Sequence, residues 1–252
     1  MATRLAFWKR EETDSLSMEE HPRPGVLSDF ILGSQDGLVN VLGVILGVAV
    51  AAQAQPGTDA LRIVLAGGLA ATFAESISMG AVAYTSTSAR RDHYLRELER
   101  EKQEMRDLPH VEREEVRIVL ERWGFQGAEL EGMTDKIISK PMAWLEFMMA
   151  HELSLAPVDK AQARKSAVVV GFAAIFGSII PLIPFVFTGR DIFAGIFASL
   201  VVSAITLFVI GWYKGKATIG RPARSGTQML IIGIVSALAG FGIAYLVGVP
   251  FA

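Results

Sequence analysis

The sequence predicts an all-α membrane protein with five transmembrane helices and a helical insert between the second and the third. Its 252 residues are 51% hydrophobic, with a mean hydropathy of +0.39, which is too apolar for a soluble domain of this length. The apolar residues lie in runs almost free of charge, each long enough for a helix to cross a bilayer, which takes roughly 20 residues. Alternating strand patterning is absent, which argues against a membrane β-barrel. The five runs are 27–52, 60–85, 166–187, 192–213 and 227–249.

The loops predict which way the chain faces. Lys214, Lys216, Arg221 and Arg224 follow the fourth run with no acid among them, and short loops rich in Lys and Arg stay in the cytosol. The polar N-terminal tail (1–26) and the insert are then cytosolic, and the C-terminus is luminal or extracytoplasmic. This pattern fits a vacuolar or other organelle membrane and a bacterial plasma membrane equally well.

The insert, residues 86–165, is predicted to hold three helices between the membrane segments 27–85 and 166–252. No Gly or Pro occurs between Ala81 and Pro109, so the second span is expected to continue beyond the membrane as one stiff rod. The second helix, "VEREEVRIVLERW", ends at Gly124. The third, "PMAWLEFMMAHELSL", opens at Pro141, because proline suits the first helical turn.

Composition and motifs exclude several classes of protein. The formal net charge is −2, which gives no reason to expect a nucleic-acid partner. The chain has no cysteine, and therefore no disulfide or thiolate metal site. It contains neither the Gly-rich phosphate loop of nucleotide pumps nor Glu-x-x-His or His-Glu-x-x-His. The sequence therefore predicts a protein that is not an enzyme and binds no nucleotide.

Asp36 and Glu75 are the acids deep in predicted spans. An Asp at the bilayer centre costs at least about 2.5 kcal/mol, so such a residue faces protein or a water path. Met79 shares a helix face with Glu75, and Asn40 with Asp36. Carboxylates with a thioether suit a transition-metal ion, and the membrane acids also suit a proton gradient. The alternative is a protonated acid hydrogen-bonded between helices.

The insert carries a second set of candidate ligands, spaced so that each group shares one helix face. The alternative is an ordinary solvated surface, since Glu-rich exposed helices usually pair their acids with Lys or Arg. Three helices that each offer a pair could instead converge on more than one divalent ion. The candidates are His93, Glu97, Glu101 and Glu104 on the rod, Glu112 and Glu115 on the second helix, and Met148 and Glu152 on the third.

Five segments resemble the vacuolar iron transporter family, in order and in spacing, over nearly the whole chain from about residue 26. They are "ILGSQDGL", "AESISMGAVAY", "DHYLRELEREKQEM", "KPMAWLEFMMAHELSL" and "SIIPLIPFVF". Plant-type members of that family carry a proline a few residues after the DG motif, where this chain reads "LVNVLG" (38–43). The departure includes Asn40, the residue that shares a helix face with Asp36.

The resemblance implies a homodimer that exports Fe²⁺, and often Mn²⁺, from the cytosol in exchange for protons. Asp36 and Met79 would line the ion path at the dimer interface, with Glu75 assisting. Glu101, Glu104, Glu112, Glu115, Met148 and Glu152 would hold Fe²⁺, Mn²⁺, Zn²⁺ or Co²⁺ as substrate ions, with no prosthetic group. His93 and Glu97 extend this set. The alternative function is a membrane-anchored ferrous-ion buffer or sensor that does not transport.

Overall fold

The computed structural model describes residues 24–53, 57, 59–218 and 220–248, and these residues form helices joined by short loops, with no strand among them. The predictions for residues 1–23, 54–56, 58, 219 and 249–252 lie outside this range. The helices are α1 (Pro24–Gln53), α2 (Ala60–Asp107), α3 (Pro109–Arg122), α4 (Gly127–Ile138), α5 (Pro141–Phe147), α6 (Lys160–Ile179), α7 (Ile183–Thr188), α8 (Ile192–Ala217) and α9 (Pro222–Gly248).

Five helical segments in the described part of the chain are long and apolar enough to cross a membrane, which confirms the five predicted spans. They are Gly25–Gln53, Ala60–Asp107, Lys160–Thr188, Ile192–Ala217 and Pro222–Ile243. The third is not one regular helix. It narrows to a 3-10 turn at Ile180–Leu182 between α6 and α7, because Pro181 and Pro184 have no N–H to donate to the preceding turn. The chain is therefore a multi-pass membrane protein.

The contacts divide the chain into two compact units, and the division falls within α2 and α6. The first contains the described residues up to Leu69 and from Ala173 onward, and the second contains Ala70–Phe172.

Close backbone approach between helices holds the first unit together. A Cβ added to Gly177 of α6 would collide with the carbonyl of Ser34 on α1, and one added to Gly37 would collide with the carbonyl of Ala174. Small residues at such crossings let membrane helices pack at short distance. Around these crossings α1, α8 and α9 bury an apolar core built from Leu38, Leu207 and Met229, with Ile31, Val39, Ile180 and Ile210 beside it.

In the second unit, α2 runs without a break to Asp107, which confirms that the second span continues as one unbroken helix. Helix α3 starts with Pro109 in its first turn and is capped at Trp123, and Gly124 follows at φ +99°. The chain then forms α4, an additional helix that the prediction of three helices omits. Glycines at 124, 127 and 132 interrupt the helical sequence pattern of this segment. In the structure the helix buries Leu130 and Thr134.

The third predicted helix of the insert is shorter as an α-helix than the sequence predicts. Helix α5 stops at Phe147, and Met148–Glu152 form a single π-helical turn, in which Leu153 N donates to Met148 O at 3.0 Å. Ser154 follows at φ 54°. Single π turns inside helices are often found at functional sites, and this one contains two of the candidate ligands, Met148 and Glu152.

Candidate functional site

The acids of α2, α3 and the π turn belong to the same packed unit, and two of them are deeply buried. Glu101 is 2% exposed and Glu112 is 3% exposed. Their carboxyl groups are hydrogen-bonded to each other, which requires that one of the two carries a proton. We call Glu101 and Glu112 the carboxyl pair.

Two oxygens of the pair receive no hydrogen bond from the described residues outside it. They are Oε1 of Glu101 and Oε2 of Glu112, and both are buried. Buried polar atoms normally find a partner, and a carboxylate oxygen left without one raises the free energy of the folded state. A divalent cation, which prefers oxygen ligands, would satisfy both atoms.

Burial and mutual repulsion favour the protonated forms of the surrounding acids. Burial, reinforced by the hydrogen bond that Glu112 donates to Glu101, raises the pKa of Glu112 to about 8. The pKa of Glu101 is raised chiefly by burial and further by the charge of Glu152. Partial burial also raises the pKa of Glu115 and of Glu152, and in each case neighbouring carboxylates add to the effect. A cluster of this kind attracts cations and exchanges protons for them.

Arg100 supplies a positive charge to this group of acids and opposes the rise in the pKa of Glu112, Glu115 and Glu152. Its Nη1 lies 2.9 Å from Oε2 of Glu97, and its Nε lies 3.4 Å from Oε2 of Glu104. Glu97 also contacts Arg96, at 3.4 Å, and His93, at 3.7 Å. Glu97 is thus paired with basic residues on its own helix, and Nδ1 of His93 lies 3.1 Å from Nη2 of Arg96. Arg100 is not among the site residues predicted from the sequence, although its spacing of three residues from Glu97 and four from Glu104 indicates both contacts.

Met148 lies in the apolar core of the second unit. It is fully buried and packs with Val116, Leu120 and Trp144. Glu152, one π turn later, is exposed, but its pKa responds to the charges of Glu115 and Glu112. In residues 24–53, 57, 59–218 and 220–248, no three His, Asp or Glu side chains already converge as a metal site. A metal ion would therefore have to draw further ligands toward the carboxyl pair.

The membrane candidates are held by helix contacts within their own units. Asp36 is half-buried in the first unit and precedes Gly37, where α1 meets α6; Asn40, one turn on, is exposed. Glu75 and Met79 are half-buried in the second unit. Ser76 lies between them in the sequence, and a Cβ added to Gly171 of α6 would lie 3.3 Å from the Ser76 carbonyl oxygen.

Comparison with known proteins assigns the family. The VIT family model matches residues 27–245. A vacuolar iron transporter 1 of Eucalyptus grandis is 34% identical, over 87% of this chain and 85% of its own length. The Arabidopsis thaliana protein of the same name is 34% identical over 91% and 89%, and a vacuolar iron transporter of Plasmodium falciparum is 30% identical over 85% and 80%. With a family model covering most of its residues and relatives of this similarity, the chain belongs to the VIT family.

Proposed function

We propose that this protein is a secondary active transporter that moves Fe²⁺, and Mn²⁺ as a second substrate, out of the cytosol in exchange for protons. Relatives named as vacuolar iron transporters support iron as the cargo. The observation that carries the proposal is the buried carboxyl pair, whose member Glu101 lies on the same unbroken helix as Glu75 and Met79.

The first step is capture by the insert. Glu112, with a pKa of about 8, is largely protonated at neutral pH and releases its proton when a metal ion binds. The two buried oxygens that receive no hydrogen bond from outside the carboxyl pair take the ion first. Glu104, Glu115 and Glu152 add oxygen ligands, and the Met148 thioether adds a soft one that favours Fe²⁺ over Mg²⁺ or Ca²⁺. His93 and Glu97 stay with Arg96 and Arg100.

The second step is passage through the membrane. Asp36, Glu75 and Met79 supply the ligands there, and the two carboxylates alternate between metal-bound and protonated forms, so that outward movement of metal returns protons to the cytosol. A second copy of the chain completes the path as a homodimer.

Uptake by proteoliposomes tests this function. We expect wild-type protein to accumulate Fe²⁺ or Mn²⁺ only when a proton gradient is imposed, and to move protons the opposite way. Asp36→Asn keeps the volume of the side chain and should reduce uptake at least tenfold. Asp29→Asn, one heptad earlier on α1, is the matched control and should transport normally.

Two results would contradict the proposal. Uptake by Asp36→Asn at the wild-type rate would show that the Asp36 carboxylate is not a ligand in the ion path. If wild-type protein binds Mn²⁺ with high affinity but shows no uptake under any gradient, the alternative function, a membrane-anchored ferrous-ion buffer or sensor, accounts for the chain better.

A further inference from the structure

The C-terminal quarter of the chain has an uneven distribution of charge. From Ile192 to Ala252 the sequence contains no Asp and no Glu, and its Lys and Arg residues all lie within 214–224. They are Lys214 and Lys216 at the end of α8, Arg221 just before α9 and Arg224 in its first turn. We call these four residues the basic cluster.

Glycine contacts hold the basic cluster at one end of a tight helical hairpin. A Cβ added to Gly215 would lie 2.8 Å from Cα of Pro222 and 2.9 Å from Cβ of Ser225. One turn earlier, a Cβ added to Gly211 would lie 2.7 Å from the carbonyl oxygen of Ser225. The last turns of α8 and the first turn of α9 therefore pack backbone against backbone, which fixes the four cations at the same end of the hairpin.

The described residues provide no counter-charge for the basic cluster. All four side chains are exposed, and none of them forms an ion pair with a described residue, although nine such pairs occur elsewhere in that part of the chain. Like charges held together repel one another, and an anion between them lowers the free energy of the folded protein. The cluster is thus complementary to an anion that the described residues do not supply.

Neighbouring aromatic residues place the basic cluster at the depth of lipid headgroups. Trp212 is 41% exposed and Tyr213 is 56% exposed, and both types of residue concentrate at the interface between membrane and water. Nζ of Lys216 lies 5.4 Å from the centre of the Trp212 ring. Toward the membrane interior α8 exposes Ile205 and Val209, an apolar surface for acyl chains. A lipid can contact both parts at once, whereas free phosphate can contact only the cations.

We propose that the basic cluster is a binding site for an anionic phospholipid, with the headgroup phosphate among Lys214, Lys216, Arg221 and Arg224 and the acyl chains along the exposed face of α8. Binding at this site stabilises the α8–α9 hairpin. Juxtamembrane Lys and Arg side chains interact in this way with anionic leaflets, and the interaction weakens with added salt.

Native mass spectrometry of the full-length protein in detergent tests the site without reference to metal transport. We expect phosphatidylglycerol to bind at least tenfold more tightly than phosphatidylcholine of the same chain length, and to raise the midpoint of thermal unfolding. Lys214→Gln/Lys216→Gln should lose most of this preference. That variant retains Arg221 and Arg224, which preserve the charge signal for membrane insertion.

The control variant, Lys136→Gln/Lys140→Gln, removes two exposed lysines from the insert and should keep the wild-type preference. Equal binding of the two lipids by wild-type protein, or an unchanged preference in Lys214→Gln/Lys216→Gln, would overturn the proposal. Inorganic phosphate distinguishes the source of the anion. If it displaces phosphatidylglycerol at millimolar concentration, the site is one for free phosphate and the proposed lipid site is wrong.

Discussion

The carboxyl group of Glu101 on α2 is hydrogen-bonded to that of Glu112 on α3, and both side chains are almost completely removed from solvent. Two buried carboxyl groups in contact cannot both be ionised without strong repulsion, so the pair holds a proton at neutral pH. The proton and a metal ion compete for the same oxygens, which leads to the first two predictions. The third concerns the proton alone.

Metal affinity is expected to rise with pH and then to level off. Burial raises the pKa of Glu112 to about 8, so below that pH a bound metal ion must displace a proton. Mn²⁺ affinity should increase about tenfold per pH unit for each proton released, up to roughly pH 8. Isothermal titration calorimetry of the full-length protein, in buffers with different ionisation enthalpies, measures the affinity and the protons released. An affinity that stays constant between pH 6 and pH 8 would contradict this mechanism.

Glu112→Gln should weaken Mn²⁺ binding by on the order of tenfold or more, because it removes a charged ligand oxygen and replaces it with an amide. The matched control is Glu114→Gln on the same helix. Glu114 is exposed and paired with Arg117 at 2.8 Å, and its substitution should leave affinity unchanged. Equal losses in both variants would point to a general effect of charge instead of a site at the carboxyl pair.

Without metal, the insert should be most stable at mildly acidic pH. The raised pKa of Glu112 means that the folded state holds this proton more tightly than the unfolded state. Stability must then fall as pH rises from about 4.5 to about 8, and be flat above that range. Hydrogen exchange of α3 amides across this range measures the effect. The side chain at position 112 cannot ionise in Glu112→Gln. If exchange in this variant, corrected for intrinsic rates, depends on pH as strongly as in the wild-type protein, Glu112 is not the cause of the pH dependence.

Gly177→Ala is expected to destabilise the first unit by about 1–3 kcal/mol, because the added methyl group meets the Ser34 carbonyl and forces α6 away from α1. Gly242→Ala on α9 is the control, since its Cβ would have no atom within 4 Å and alanine favours the helix. Thermal unfolding in detergent compares the two. A Gly177→Ala protein as stable as Gly242→Ala would show that this helix crossing tolerates a wider spacing.

The membrane helices and the rod could be predicted because their signals are local. Long apolar runs fix the spans, and the absence of Gly and Pro between Ala81 and Pro109 fixes the continuity of α2. Helix α4 could not be predicted in the same way. Its stability depends on burial of Leu130 and on the contacts of Arg113 with Glu131 and Asp135, at 2.7 and 2.9 Å, which tertiary packing alone brings together.

Spacing likewise identifies the acids of the candidate site but not their relationships. The stripe from His93 to Glu104 follows from helical periodicity, yet periodicity does not reveal that Glu101 pairs with an acid while Glu97 pairs with bases. That difference depends on which side of α2 the second helix covers. The π turn is invisible in the sequence for a similar reason, because residues with ordinary helix propensity adopt it only in the folded unit.

Because α2 is unbroken, a movement of its membrane-spanning part also moves Glu101 near its other end. Glu75 and Glu101 lie on this single helix, and at 1.5 Å per residue they are roughly 39 Å apart along its axis. A tilt of about 5° at the membrane end displaces Glu101 by roughly 3 Å, more than the length of a bond of about 2 Å between a small divalent ion and a carboxylate oxygen. A small tilt of the span is therefore enough to assemble or break the proposed metal site, with no hinge in between.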